Sequence, residues 1–226
     1  ANRAHRPIRS FVIRSARMTT AQQKALDNHW PAYGIEPDDS ALDYAELFNR
    51  DADTYLEIGF GMGQSLVELA RQRGGDNFIG ADVCEPGIGA VIAGAEKAGL
   101  NNLKIYQGDA VELLSQRMPA ASLSGVYIFF PDPWPKRRHH KRRLIQPEFV
   151  SLVSSRLTQV GQLHVATDWE EYALHISKTL EAEPTLSNCS KGGAFRPRPD
   201  YRSLTKYAAR AQRLGHGVWD IIYQRN

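Results

Sequence analysis

The 226 residues predict an α/β fold, with a mostly parallel central sheet and helices on both of its faces. From residue 53 onward, short apolar runs typical of buried strands alternate with segments of helical periodicity. A glycine-rich turn at residues 59–63 directly follows the first of these strands. An acidic residue ends or follows each of five strands, as expected where the carboxyl ends of parallel strands form a binding edge.

A helical segment precedes the first strand. The apolar periodicity predicts a helix over 21–28. Thr19 or Thr20 is its expected cap, and Trp30-Pro31 its expected end. A second helix is predicted over 41–48.

Strands and helices then alternate along the rest of the chain. Seven strands are predicted, over 54–58, 77–83, 103–107, 126–130, 161–166, 185–189 and 218–223. The helices between them are predicted over 64–73, 87–98, 110–116, 146–157 and 170–181. Gly99 closes the second of these helices, and Pro147 lies near the start of the fourth, where proline is tolerated.

The charge distribution is more informative than the net charge of +3. Residues 1–26, 136–143 and 191–226 together carry 20 Lys or Arg and two acids, whereas the rest of the chain carries eight Lys or Arg and 23 acids. Such segregation favours binding of a polyanion over the alternative, basic segments kept for solubility.

The composition is that of an ordinary water-soluble protein, with 42% hydrophobic and 23% charged residues. No apolar run approaches the roughly 20 residues of a membrane helix, so no membrane partner is expected. Cys84 and Cys189 have no metal-ligand spacing, so we expect no metal and a reducing, cytoplasmic location. No exposed apolar stripe stands out, which favours a monomer.

The most informative stretch is residues 125–143, which reads GVYIFFPDPWPKRRHHKRR. Its apolar run is typical of a strand buried on both faces. A proline-stiffened turn then places the carboxylate of Asp132 and the ring of Trp134 beyond the strand. The next eight residues are six Lys or Arg and two His. An acid, an aromatic ring and dense positive charge at such a point indicate chemistry on a nucleic acid.

The acids at the strand ends are expected to line one edge of the sheet. They are Glu57, Asp82, Asp109, Asp132 and Asp168. Each alone also fits a helix cap or a solvated turn. Together they would repel a pyrophosphate, but they suit S-adenosylmethionine, which presents a sulfonium, an ammonium, ribose hydroxyls and an adenine amino group. We therefore predict S-adenosylmethionine as the cofactor.

The glycines of the turn let the backbone approach a ligand closely. They are Gly59, Gly61 and Gly63. Asp82 is expected to accept the ribose hydroxyls, Asp109 the adenine amino group, and Glu57 to help hold the amino acid end. A dinucleotide-dependent oxidoreductase on the same topology is the alternative, but the spacing is not that of the G-x-G-x-x-G motif.

Several motifs together resemble one family over nearly the whole chain. They are Ser10-Phe11-Val12, Trp30-Pro31, Glu57-Ile-Gly-Phe-Gly-Met-Gly63, Phe130-Pro-Asp-Pro-Trp134, Thr167-Asp-Trp169, Thr205-Lys-Tyr207 and the run from Arg213 to Asp220. They resemble the bacterial tRNA (guanine-N7-)-methyltransferases. The resemblance implies a Rossmann-like S-adenosylmethionine-dependent methyltransferase fold over 49–226, in one structural unit with the basic arm and helical segment over 1–48.

The resemblance implies methyl transfer from S-adenosylmethionine to N7 of a guanosine in the tRNA variable loop. It places Glu57, Asp82, Asp109 and Asp132 at the cofactor, with Asp132 nearest the chemistry. Contacts to the target nucleotide are implied for Lys136, Asp168, Thr205, Lys206, Tyr207 and Ala208. Contacts to the remaining RNA are implied for Arg138, His139, His140, Lys141, Arg142 and Arg143.

The chain departs from the family pattern at two positions. Asp82 stands where the family usually has Glu, and the shorter acid preserves the ribose contact. Ala208 stands where the family usually has Glu, whose carboxylate would read the donor edge of guanine. The change at Ala208 shifts that task to Asp132 and Asp168, and both remain candidates.

Methylation of guanine N7 requires alignment more than proton transfer, because this nitrogen carries a lone pair and no proton. A nearby acid favours the cationic ring that forms. Trp134 either stacks on the base or packs beneath the basic run. Trp169 and Trp219 are expected to pack, and His216 to be structural. A C-terminal cluster is expected to clamp the nucleotide: Tyr201, Arg202, Lys206 and Arg210.

Two further functions stay open at this point. One is a methyltransferase that acts on another RNA guanosine or on a protein. The other is a nucleic-acid-binding module without catalysis, which would explain the charge segregation but not the glycine turn and the row of acids.

Overall fold

Seven strands form one sheet in the part of the chain that the computed structural model describes, residues 17–190, 193, 195–202 and 217–226. They are β1 (Thr54–Ile58), β2 (Asn77–Asp82), β3 (Leu103–Gln107), β4 (Leu123–Phe129), β5 (Leu157–Thr167), β6 (Leu186–Asn188) and β7 (Trp219–Arg225). Their order across the sheet is β3-β2-β1-β4-β5-β7-β6. Among these strands β7 alone runs opposite to the others, so its pairings with β5 and β6 are antiparallel and the remaining pairings are parallel, which confirms the predicted mostly parallel sheet.

Helices cover both faces of the sheet, as predicted. Over the same described residues they are α1 (Thr20–Tyr33), α2 (Tyr44–Phe48), α3 (Gln64–Gln72), α4 (Glu85–Lys97), α5 (Ala110–Glu112), α6 (Pro147–Arg156) and α7 (Glu170–Glu181). Buried side chains of α1, α3 and α4 form one core, and those of α6 and α7 belong to a second. The two cores lie on opposite faces because neighbouring residues of a strand point in opposite directions. In β4, for example, Val126 and Ile128 belong to the second core and Tyr127 to the first.

Helix α1 departs from its predicted end. Pro31 lies inside the helix, which continues to Tyr33, so the prediction that Trp30-Pro31 ends it is wrong. A proline this close to the carboxyl end removes one amide donor and leaves most of the helix intact. At the other end Thr19 is the cap: its amide donates to Gln22 Oε1 at 2.8 Å, and the Gln22 amide donates to Thr19 Oγ1 at 3.2 Å.

Other predicted elements differ in extent or type, and one element is unpredicted. The helix predicted over 110–116 is the short α5 followed by a π-helical turn, Leu113–Arg117. Strand β5 spans 11 residues and begins four residues earlier than predicted. The basic run, for which no element is predicted, folds into a 3₁₀ helix, Arg137–Arg142.

The described part of the N-terminal segment packs on the central sheet and its helices. An ideal Cβ on Gly89 of α4 would lie 2.6 Å from the carbonyl oxygen of Gln22, so the two helices are in close contact. The amide of Ile35 donates to the carbonyl of Ile105 in β3 at 2.8 Å. Among the described residues, no helix combines the length and apolarity needed to cross a bilayer.

A buried polar network fastens the C-terminal segment to the sheet. Arg202 donates to Asp220 at 2.5 and 2.7 Å, and both side chains are almost fully buried. His164 of β5 contacts Asp220 at 2.8 Å and the hydroxyl of Tyr201 at 2.9 Å. Burial lowers the pKa of His164 against the opposing pull of Asp220, which favours a neutral ring. Arg202 is therefore bound within the fold, and the expectation that it clamps a nucleotide is wrong.

Candidate active site

A cavity of about 210 Å³ opens at the carboxyl ends of β1 to β4. It is lined by residues Ile58, Gly59, 81–83, 108–110, 128–132 and Leu144. We call the turns after β1, β2 and β3 the glycine wall, residues 58–63, 81–84 and 108–111. We call the end of β4, the turn after it and Leu144 the proline wall, residues 128–134 and 144. The cavity lies where a parallel sheet binds its ligands.

The glycine turn requires its glycines for two different reasons. Gly59, Gly61 and Gly63 have positive φ angles of 71°, 58° and 65°, a region that other residues rarely adopt. An ideal Cβ on Gly63 would also lie 1.8 Å from Val91 of α4. At Gly59 and Gly61 such a Cβ meets no described atom within 4 Å, which leaves room for a ligand to approach the backbone.

Helix α4 packs closely against the same turn. An ideal Cβ on Gly87 would lie 2.1 Å from the carbonyl oxygen of Gly61. Only glycine at position 87 therefore allows α4 to support the turn in this conformation.

Asp82 is fixed by three backbone amides. Val83 and Cys84 donate to its Oδ1 at 2.7 and 2.9 Å, and Gly61 donates to its Oδ2 at 2.9 Å. Burial raises the pKa of Asp82, and these amides act against that rise. Because a carboxylate offers about four lone pairs, roughly one remains for a ligand hydroxyl. Acceptance of both ribose hydroxyls therefore requires that the Gly61 amide be shared or released.

Glu57 lies beneath the cavity, buried within β1 and 2% exposed. Burial raises the pKa of Glu57 to about 8, and the nearby Asp82 adds to the rise, whereas a hydrogen bond with Ser65 opposes it. Its Oε2 atom has no hydrogen-bond partner among the described residues. A buried acceptor without a partner is costly, and a cationic ligand would satisfy it.

Asp109 both caps a helix and lines the cavity. Its Oδ1 accepts the amide of Val111 at 2.9 Å at the start of α5. The capping interpretation and the ligand-binding interpretation are compatible here, because a carboxylate has a second oxygen. Three of the five acids, Asp82, Asp109 and Asp132, line the cavity, whereas Glu57 is buried beneath it and Asp168 is not among its lining residues.

The acceptor groups of the glycine wall and of Glu57 beneath it fit S-adenosylmethionine. Glu57 offers a buried acceptor atom without a described partner, Asp82 and Asp109 offer carboxylates at the cavity surface, and the glycines leave space for close approach. The described residues contain no cluster of three or more His, Cys, Asp or Glu side chains suited to a metal ion.

The turn of the proline wall has an unusual backbone. Phe130 and Trp134 have φ angles of 55° and 45°, although neither is glycine and each precedes a proline. Both the positive φ and the following proline disfavour such a conformation, so the surroundings must hold it. The turn presents Asp132 as an exposed side chain at the edge of the cavity.

Trp134 packs against the basic helix and is half-buried. The guanidinium of Arg142 lies 5.0 Å from the centre of its ring, and the ring of His139 meets it edge-on at 5.8 Å. This geometry supports packing beneath the basic run and leaves part of the ring exposed. Partial desolvation together with the charges of Arg138 and Arg142 lowers the pKa of His139.

The 3₁₀ helix presents most of its basic side chains to solvent. The exposed members of the run are Lys136, Arg137, Arg138, Lys141 and Arg142, and His139 and His140 are half-buried. The arrangement suits contact with phosphates.

Arg143 departs from this pattern. Its side chain is 0% exposed and ion-paired with Glu171 of α7. Its Nε donates to the carbonyl oxygen of Pro133 at 2.9 Å. The expectation that Arg143 grips RNA together with its neighbours is therefore wrong in this structure, because every side of its guanidinium is enclosed.

The remaining predicted site residues fall into two groups. Asp168 follows β5 and is half-exposed. The neighbouring Trp169 is 42% exposed, so the expectation that Trp169 is a packing residue is wrong. Thr205, Lys206, Tyr207 and Ala208 lie outside the described residues, as do Arg210, His216 and the motif at Ser10.

The contact between Arg143 and Glu171 has no signal in the sequence. The two residues are 28 positions apart, and no motif joins them. A stiff turn is predicted between Phe130 and Trp134 from its two X-Pro steps, but the positive φ angles of these two residues are not.

Solved methyltransferase structures share this fold. One is the 16S rRNA methyltransferase KamB, with 16% identity, 81% of this chain and 92% of that chain covered, and a TM-score of 0.59. Another is a variant of the 16S rRNA (adenine(1408)-N(1))-methyltransferase of Catenulisporales acidiphilia, solved with S-adenosylmethionine as cosubstrate, with 15% identity, 81% and 92% coverage and a TM-score of 0.52. A family model described as "putative methyltransferase" matches residues 51–221. Fold, cavity and family model define an S-adenosylmethionine-dependent methyltransferase.

A sequence relative shows which family of methyltransferases the chain belongs to. The tRNA (guanine-N(7)-)-methyltransferase of Shewanella amazonensis is 51% identical over 220 residues, which cover 97% of this chain and 92% of that protein. The chain therefore belongs to the tRNA (guanine-N(7)-)-methyltransferase family, and the resemblance based on its motifs is confirmed.

Proposed function

We propose that this protein transfers a methyl group from S-adenosylmethionine to N7 of a guanosine in the variable loop of tRNA. The observation that carries the proposal is one cavity between two unlike walls. The glycine wall offers carboxylates and open backbone for the cofactor, whereas the proline wall joins Asp132 directly to an exposed basic helix. Small-molecule methylation would not require such a basic surface beside the cavity.

The glycine wall would hold the cofactor. Asp82 and Asp109 accept hydrogen bonds from its hydroxyl and amino groups, Glu57 faces its positive charge, and the glycines at 59, 61 and 63 admit it. When bound, S-adenosylmethionine supplies an electrophilic methyl group. Because burial raises the pKa of Glu57 to about 8, its protonated form predominates at neutral pH in the absence of a cation, and binding of a cation would favour loss of the proton.

Asp132 is the proposed catalytic residue. No proton leaves N7 during methylation, so a general base is unnecessary. The Asp132 carboxylate at the cavity edge can accept the N1–H and amino donors of guanine and stabilise the cationic product ring. Asp168 and Lys136 are proposed to contact the same nucleotide together with residues 205–208, and the RNA surface comprises Arg138, His139, His140, Lys141 and Arg142.

A methyl-transfer assay tests this function. Labelled S-adenosylmethionine and tRNA that lacks the modification should yield labelled 7-methylguanosine from the variable loop. Asp132→Ala should lower kcat by about 10³-fold or more while the fold and cofactor affinity persist. Asp51→Ala, at the opposite end of β1, is the matched control and should retain full activity. Label in another nucleoside, or full activity of folded Asp132→Ala, would contradict the proposal.

The cellular setting is proposed from the same function. A tRNA-modifying enzyme works where tRNA is handled, so we propose a cytoplasmic location. We also propose that it acts as a monomer, which light scattering at assay concentration would test.

A further inference from the structure

We propose that Arg143 is a positioning residue that fastens the turn after β4 to helix α7 and thereby fixes Asp132 over the cofactor cavity. The proposal rests on the function proposed above and adds a residue to it. Arg143 lies at the end of a basic run, yet it differs from its neighbours in burial and in partners.

The contacts of Arg143 join two distant elements. Its Nε donates to the carbonyl oxygen of Pro133, the residue directly after Asp132, at 2.9 Å. Its Nη1 donates to Oε1 of Glu171 at 3.1 Å, and its Nη2 donates to Oε2 of the same carboxylate. One rigid guanidinium therefore connects the active-site turn with the first turn of α7. A planar group with several donors suits such a connection better than an ammonium would.

The surroundings of Arg143 argue against a direct contact with RNA. The guanidinium lies 4.7 Å from the centre of the Tyr172 ring and 3.2 Å from Nε2 of His140. The hydrogen bond from Arg143 lowers the pKa of Glu171, so this acid stays ionised and compensates the buried charge. A phosphate could reach Arg143 only by displacing these partners, whereas the adjacent Arg142 is exposed.

The backbone of the turn explains why a fastening contact is needed. Phe130 and Trp134, which bracket Asp132, both adopt positive φ angles before a proline. Residues in such conformations persist where the surrounding structure holds them, and they cluster at functional sites. Arg143 binds the carbonyl oxygen of Pro133 between these two residues, so loss of the contact lets the turn relax and moves Asp132.

Kinetics of four variants test the role. Arg143→Gln removes both connections, and a displaced carboxylate should lower kcat about tenfold or more. In Arg143→Lys the ammonium can bond to only one of the two partners at a time. In Glu171→Gln the side chain still accepts a hydrogen bond but carries no charge. Each of these variants should therefore lower kcat by less than Arg143→Gln does. Arg117→Lys is the matched control: Arg117 is also buried, and it bonds to Ser40, Glu36 and Asp38, none of which lines the cavity. It should retain the wild-type kcat.

Binding measurements separate positioning from RNA contact. Affinity for S-adenosylmethionine and the salt dependence of tRNA binding should stay at wild-type values in Arg143→Lys and Glu171→Gln. Unchanged kcat with a flatter salt dependence would overturn the proposal and make Arg143 an RNA contact. If Arg143→Gln does not fold, the two milder variants decide by the same criteria. A wild-type protein that methylates no tRNA would instead overturn the proposed function.

Discussion

The two walls of the cavity are held in place by different means. On the glycine wall, Asp82 is fixed by the amides of the next two residues and of Gly61, and Asp109 by the amide two residues on. On the proline wall, the turn around Asp132 is bound by Arg143, ten residues beyond Pro133, which in turn depends on Glu171, another 28 residues along the chain.

The glycine wall is thus preorganised by contacts within and between neighbouring strands, whereas the proline wall is preorganised by contacts with a helix farther along the chain. A wall built from backbone amides forms as soon as its strands pair, because its contacts lie within two residues or, for Gly61 and Asp82, join the ends of the neighbouring strands β1 and β2. A wall held by side chains from another helix forms only when that helix has packed. We therefore expect the glycine wall to tolerate changes in α7 and the proline wall to be sensitive to them.

The first test of this comparison concerns the acid beneath the glycine wall and has the largest expected effect on stability. Its pKa of about 8 lies above the value of about 4.3 in an unfolded chain. Between these values the folded state holds a proton that the unfolded state has released, so stability is fully present below pH 4.3 and is lost as the pH rises toward 8. Glu57→Gln should therefore stabilise the cofactor-free protein at pH 8.5 by on the order of 2–5 kcal/mol relative to wild type.

Denaturant unfolding of both proteins at pH 5 and pH 8.5 measures this difference. The exposed substitution Glu148→Gln is the control for surface effects. Equal stability of wild type and Glu57→Gln at pH 8.5 would mean that Glu57 is not buried as an unpaired acid. The region beneath the glycine wall, where Glu57 lies, would then be more accessible to solvent than the structure shows.

The second test disturbs the support of the glycine wall. Gly87→Ala places a Cβ 2.1 Å from the carbonyl oxygen of Gly61, so either α4 or the glycine turn must shift. We expect a loss of about 1–3 kcal/mol in unfolding free energy and weaker cofactor binding. Thermal unfolding and equilibrium binding measure both quantities. Gly75→Ala, where the new Cβ meets no described atom within 4 Å, should change neither. Wild-type cofactor affinity in folded Gly87→Ala would contradict the tight support.

The third test addresses the surface beside the proline wall and has the smallest expected effect. Arg142 is exposed, so Arg142→Gln should lower the salt dependence of tRNA binding by about one unit of slope and leave cofactor affinity unchanged. Arg71→Gln, an exposed arginine on α3 paired with Glu68, is the matched control. Filter binding across a salt series measures the slope, and an unchanged slope would remove Arg142 from the RNA surface.

The same division between local and long-range contacts decides which features the sequence predicts correctly. The strand at 54–58, the strand at 103–107 and the helix at 170–181 are found with their predicted bounds, because periodicity and flanking residues are local signals. The acids at positions 82, 109 and 132 are predicted to meet, since parallel strands bring their carboxyl ends to one edge.

The sequence fails where distant contacts decide. Arg142 and Arg143 are identical neighbours in a basic run, and only the packing of α7 makes one exposed and the other buried. Pro31 is predicted to end a helix, but α1 continues to Tyr33, whose hydroxyl donates to the carbonyl oxygen of Leu100, beyond α4, at 3.1 Å. The π-helical turn after α5 likewise has no signal in the periodicity that predicts a regular helix.

The ion pair between Arg202 and Asp220 has a consequence for the length of chain between them. It joins the chain on either side of residues 203–219, so the departure and return of this stretch are fixed at one buried point. Lengthening a closed loop is cheap, about 0.6 kcal/mol for each doubling. A change in the number of residues between Arg202 and β7 therefore costs little closure free energy, because the buried pair already holds both ends of the stretch together.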